Sequence, residues 1–178
     1  MIPLDVEGGM WKAMFRSDEQ IPEGQLEGRK GPHDLYGSIL YLLTGKSVSR
    51  MHRLATDEIW HFYMGAPCEL LVLCPDGTGY TEKLGHDIAG GETVTAMVPR
   101  GCWQGVRIAA EGANDISDMV AATDGTPATC DFALLGTTMA PGYEDSDYED
   151  GTEDLLEQYP EFRELILPLL ARPEQEKI

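Results

Sequence analysis

Two of the four histidines, His52 and His61, sit with Glu58 in the stretch SRMHRLATDEIWHFYMG, residues 49–65. An imidazole and a carboxylate so placed support two chemistries. They are common ligands for zinc, iron, manganese or nickel, and they are the usual parts of a metal-free acid/base pair. Alternate residues of a strand face the same way. Arg50, His52 and Leu54 are therefore expected on one strand face, before the short ATD turn. Glu58 opens the next strand, with Trp60 and Phe62 on its face. His61 falls on the opposite face of that strand unless a bulge rotates it inward. Arg50, His52, Glu58 and Trp60 are expected to project into one cavity. There Arg50 would hold a carboxylate, a phosphate or sugar hydroxyls, and the aromatic rings would form the wall. Tyr143, just after APG, is placed near the cavity mouth.

The elements that must position these groups are short. From Tyr36 onward, runs of β-type composition follow one another: LYGSILYLL, SVSRMHRL, IWHFYM, CELLVLC, YTEKL, ETVTAMVP, WQGVRIA and CDFALLGTTM. Turn signals separate them, PDGTG and GHDIAGG among them. Some eight punctuated strands predict an all-β closed barrel or jelly roll. Residues 1–35 read as an irregular arm or edge hairpin, 36–142 as the barrel, and 143–178 as an acidic loop followed by helices, all in one domain. The polar segment 111–129 reads as a long surface loop. In the tail, Leu155, Leu156, Tyr159, Phe162, Leu165, Ile166 and Leu169 have helical spacing and are expected to cover the barrel's outside. Pro160 fits a first helical turn, and Pro168 is expected to kink or end the helix. The acidic run YEDSDYEDGTED lacks the glycine and the final glutamate of an EF-hand and reads as a solvated loop.

Composition narrows the partners. The chain has 13 Lys and Arg against 31 Asp and Glu, a net charge of −18. Such a surface repels phosphate backbones and anionic lipid, so neither nucleic acid nor membrane is an expected partner. The start of the chain shows no basic, apolar leader, and no stretch is long enough to span a bilayer. Cys68, Cys74, Cys102 and Cys130 form no CxxC pair and read as reduced thiols of a cytoplasmic protein.

The same residues carry a resemblance. Gly45, His52, Leu54, Glu58 and Gly65 resemble the first cupin motif, G-x5-H-x-H-x(3,4)-E-x6-G. GGETVTAMVPRGCWQG resembles the second, with Pro99, Gly101 and Gln104 at its P, G and H positions. The wording HR…DEIWHFYMGAP, LGHD, VPRGCWQ and TTMAPGYEDSDYE, with EGG near the start and YPEF near the end, is similar to the fifth cupin subfamily, a branch of unknown function. The resemblance implies an all-β cupin double-stranded β-helix, a jelly-roll barrel like that of RmlC, with short C-terminal helices. It also implies a homodimer, here through the arm and the outward strand faces, His61 and Trp103 among them. The general cupin metal site uses three His and one Glu. Leu54 and Gln104 replace two of those imidazoles, so no cofactor is expected; a divalent metal, if bound, would use His52, Glu58, His61 and Gln104.

By analogy with metal-free cupin epimerases, the implied function is an isomerase or epimerase acting on a sugar derivative. His52 would remove a proton next to a carbonyl, Glu58 would orient His52, and Gln104 would hydrogen-bond the substrate oxygen. Tyr63 or Tyr143 would return the proton, and Arg50, Trp60, Phe62, His61, Tyr63 and Tyr143 would contact substrate. A non-enzymatic protein that holds a small polar metabolite, and a metal-dependent dioxygenase or lyase, are the alternatives.

Overall fold

The computed structural model describes residues 1–45, 47–109 and 131–170. The loop expected at 111–129 lies outside the described residues, as do Cys130 and residues 171–178. The strands in chain order are β1 (Ile2–Pro3), β2 (Met10–Arg16), β3 (Gln20–Ile21), β4 (His33–Asp34), β5 (Gly37–Thr44), β6 (Val48–Leu54) and β7 (Glu58–Gly65). They continue with β8 (Cys68–Leu73), β9 (Gly79–Leu84), β10 (Thr95–Val98), β11 (Trp103–Ile108), β12 (Phe132–Met139) and β13 (Tyr148–Asp150). One sheet runs β1-β2-β5-β12-β7-β10 and the facing sheet runs β13-β6-β11-β8-β9, while β3 and β4 pair separately. This is the jelly roll that the strand count and the resemblance predict. The arm is not irregular throughout: β2 pairs antiparallel with β5 and widens the first sheet at its edge.

The core lies between the sheets and includes Tyr41, Leu43, Trp60, Phe62, Leu70, Val72, Val106 and Leu135. Alternation explains most of it, because each strand sends every second side chain inward. β8 does not alternate, and its run LLVL is buried throughout. Leu70 and Val72 point into the core. Leu71 and Leu73 point outward, where Leu155 and Tyr159 with Ile166 and Leu169 close over them together with Met51 and Trp103. Leu155 lies in α1 (Leu155–Gln158), Tyr159 caps that helix, and α2 (Arg163–Leu170) supplies Ile166 and Leu169. Each such apolar side chain contributes roughly 1.5–3 kcal/mol on burial. The Tyr159 hydroxyl also donates to the Cys74 carbonyl at 2.9 Å. The expected helical cover is therefore present. Pro160 opens a turn of 3-10 helix as expected. Pro168 does not end α2, which continues to Leu170.

Two register shifts decide which side chains meet. Gln104 pairs with His52 but Val106 pairs with Ser49, so β6 carries an extra residue opposite Gly105. A Cβ on Gly105 would lie 2.8 Å from the Met51 sulfur and 3.2 Å from the Ser49 carbonyl. Only glycine leaves room for that bulge. The second shift skips Tyr63, because Leu135 pairs with Phe62 and Leu134 with Met64.

Candidate active site

The bulge in β6 takes Arg50 off the His52 face, contrary to strict alternation. Its backbone N–H donates instead to the Glu7 carbonyl at 2.7 Å. Its guanidinium donates to the carbonyl of Asp5 at 2.8 Å and to that of Val6. Arg50 thus ties down the N-terminal segment, a role the sequence reading did not assign to it. The glycines after Glu7 complete the approach. Gly8 has φ +91° and passes so close to β6 that a Cβ would sit 2.4 Å from the Val48 carbonyl. The Tyr41 hydroxyl donates to the Gly8 carbonyl at 2.7 Å. Glu7 is thereby brought beside His52 and Glu58, close enough for its charge to act on His52.

His52 is 1% exposed. Its Nδ1 donates to the Arg50 carbonyl at 2.7 Å, and its Nε2 lies 3.9 Å from Glu58 Oε2. The ring stacks on Tyr148, with centroids 5.5 Å apart. Burial alone would lower the imidazole pKa. The negative charge of Glu7, the Glu58 carboxylate and the Arg50 carbonyl overcome it and raise the value to about 9. His52 is therefore an imidazolium at neutral pH. Burial raises the Glu7 pKa, an effect that His52 opposes and Glu58 reinforces.

Glu58 is 6% exposed and belongs to the first sheet, whereas His52 and Gln104 are register partners in the second. Trp60 Nε1 donates to Gln104 Oε1 at 2.8 Å, and Gln104 Nε2 donates to Glu58 Oε2 at 2.6 Å. The indole N–H fixes which way the amide points. Gln104 thus orients Glu58, and both its amide atoms are engaged; the sequence reading had given it to the substrate. Gln104 and His52 both approach Glu58 Oε2, and Oε1 has no hydrogen-bond partner among the described residues.

A cavity of about 340 Å³ opens in front of Glu58, lined also by Glu7, Trp11, Tyr41, Trp60 and Tyr143, with Arg16, Asp34 and Asp145 nearby. Burial, then Asp145, raises the Tyr143 pKa above that of an ordinary phenol. Of the residues expected at the pocket, Glu58, Trp60 and Tyr143 line it. His52 and Gln104 stand behind Glu58. Phe62 instead packs into the core, its ring edge-on to His86 at 4.9 Å. His61 and Tyr63 stack on each other with centroids 6.2 Å apart, and His61 Nε2 meets Thr138 Oγ1 at 3.0 Å. Alternation puts both on the outer face of β7, away from the cavity. Trp103, expected at a dimer contact, is 7% exposed under the helices, with the Arg53 guanidinium 4.6 Å above its ring.

The acidic run is not wholly solvated. Asp147 is buried and meets His33 Nε2 at 2.8 Å, and the next residues form β13 beside β6. That pairing holds Tyr148 on the His52 ring. The cysteines are closer than their sequence spacing suggests: Cys74 and Cys102, both free thiols, have their sulfurs 3.5 Å apart.

A cupin metal centre does not fit these donors. Leu54 offers no ligand, Gln104 is committed at both ends, and His61 faces the other way. Among the described residues no three His, Cys, Asp or Glu side chains are grouped to hold an ion.

Glu7 is the site residue that sequence reading missed. Its only signal was EGG, a string whose two glycines allow a close backbone approach. No curated protein matches the sequence. A crystal structure of a Shewanella oneidensis protein is 30% identical, with 95% of this chain and 90% of that one covered and a TM-score of 0.71. A hypothetical protein from Leishmania major is 24% identical over 94% and 92%, with a TM-score of 0.76. A dTDP sugar isomerase from Desulfovibrio desulfuricans is 15% identical over 86% and 90%, with a TM-score of 0.50, a likeness of fold alone. Residues 1–150 match the family Cupin_5, described as Cupin superfamily (DUF985), and the chain therefore belongs to that cupin family.

Proposed function

We propose that the barrel binds a small hydroxylated metabolite, such as a sugar derivative, and isomerises or epimerises it by metal-independent proton transfer. The observation that carries this reading is the Glu58 carboxylate, buried at the cavity wall with one oxygen held by Gln104 and the other unpartnered. Glu58 then takes the proton from a carbon next to a carbonyl, a role the sequence reading had given to His52. The imidazolium of His52 lies 3.9 Å from Glu58 Oε2, the oxygen held by Gln104. The Glu58 carboxyl, protonated by that transfer, then returns the proton to the substrate at the neighbouring carbon. Tyr143 donates a hydrogen bond to the substrate oxygen.

The test is deuterium incorporation from heavy water into a panel of aldoses, ketoses and their amino and deoxy derivatives, read by NMR. Exchange at one carbon is expected, and Glu58→Gln should slow it by about 10²-fold or more. Binding without exchange would instead favour a non-enzymatic carrier, and a Glu58→Gln protein that exchanges normally would overturn the assignment.

A further inference from the structure

The charges facing the cavity restrict what it can hold. Glu7 and Glu58 both line it, and among the described residues neither has a basic side chain within ion-pair distance except His52 behind Glu58. Asp145 adds a third carboxylate. The one basic residue in the lining, Arg16, is already bonded to Asp34 and reaches Glu144 at 3.4 Å. Arg50 is near enough to act on Glu7, but its guanidinium is committed to backbone carbonyls. Asp150 adds negative charge on the same side, its carboxylate taking the Tyr148 hydroxyl at 2.9 Å. With the Arg16–Asp34 pair set aside, Glu7, Glu58, Asp145 and Asp150 face His52 and Arg50 among the described residues.

A phosphate or diphosphate needs Arg, Lys or a run of free N–H groups. Among the described residues Arg16 is the one such group in this lining, it is already paired with Asp34, and the surrounding carboxylates disfavour an anion. The wall offers instead the rings of Trp11 and Tyr143, surfaces on which an ammonium is held by cation–π attraction. Oε1 of Glu58 has no hydrogen-bond partner among the described residues and, unlike Ser49 Oγ, is not sealed off, so it can accept from a molecule in the cavity.

We infer that the cavity takes a protonated amine, with the ammonium beside the Glu7 carboxylate, Glu58 left free as the base, and the rest of the molecule against the aromatic wall. The inference rests on the cavity being the binding site proposed above and names the charge class of its substrate. A sugar that fits would be an amino sugar rather than a sugar phosphate or a nucleotide sugar.

Two matched series test it on the full chain by calorimetry: benzylamine, benzyl alcohol and benzoate, and glucosamine, glucose and glucose 6-phosphate. In at least one series the amine should bind about tenfold or more tightly than its neutral and anionic partners, a margin that one charge pair at partial burial supplies. Glu7→Gln should remove most of that preference, and a thermal melt establishes that the variant is folded. Equal or tighter binding of the neutral or anionic member in both series, or no binding of either amine at millimolar concentration, overturns the inference. Deuterium exchange on the bound amine keeps the two readings apart. An amine preference without exchange leaves the ligand class standing and removes the isomerase; exchange on a neutral sugar does the reverse.

Discussion

The two faces of the β6–β11 ladder are built from opposite kinds of contact. On the inner face His52 and Gln104 belong to a chain of polar groups that ends at a cavity. On the outer face Met51 and Trp103, adjacent to them in sequence, lie under Leu155, Tyr159, Ile166 and Leu169. The apolar face contributes burial and the polar face contributes charge. A stability measurement should respond mainly to the first, and a titration or binding measurement mainly to the second. Gly105 joins the two, because the bulge it permits both seats Met51 under α2 and frees the Arg50 N–H for Glu7.

The largest effect should come from the outer face. Ile166→Ala leaves a cavity at a fully buried position and should cost about 3 kcal/mol in a denaturant titration. The His52 titration of the folded variant should stay where it is; if it moved, the faces would not be independent. Gly105→Ala should break the comparison. Its Cβ cannot be seated without moving Met51 or straightening the bulge, at about 1–3 kcal/mol. It should also lower the His52 pKa, because Glu7 is positioned through Arg50. A loss of stability with no change at His52 would show that the bulge does not connect the faces.

The pH dependence sharpens the same point. The folded-state pKa of His52 is raised from 6.5 to about 9. Its contribution to stability is therefore complete below 6.5 and is lost as the pH rises through 9. Melts between those limits should show a decline on the order of 2 kcal/mol, and His52→Gln should flatten it. The smallest effect is at Glu7. Its raised pKa means that ionising it opposes folding at neutral pH, so Glu7→Gln should leave the melting midpoint unchanged or slightly higher while the His52 pKa falls. A large destabilisation would mark Glu7 as a structural residue.

The strands were legible because local signals set them. Alternation placed Trp60 inward and His61 outward, and turn residues marked the ends. The helical cover was legible from the spacing of Leu155, Tyr159, Ile166 and Leu169. The site was legible only in part. Alternation fails at a bulge, and nothing in SVSRMHRL signals that Arg50 leaves the His52 face; the signal lies across the ladder, in Gly105. Gln104 was placed correctly beside His52, but its role depends on the donor Trp60, a contact between sheets. Glu7 and the His33–Asp147 pair reach their places from distant parts of the chain. A single sequence carries no local signal for such contacts.

The carboxylates of Glu7 and Glu58 hold His52, behind the cavity wall, as an imidazolium. The most direct test is an NMR titration of the His52 ring in the wild-type protein and in Glu7→Gln. The wild-type ring should remain an imidazolium through neutral pH and titrate near 9, with a lower value in the variant. A wild-type ring that titrates at or below 6.5, the value of an unperturbed histidine, would contradict the account.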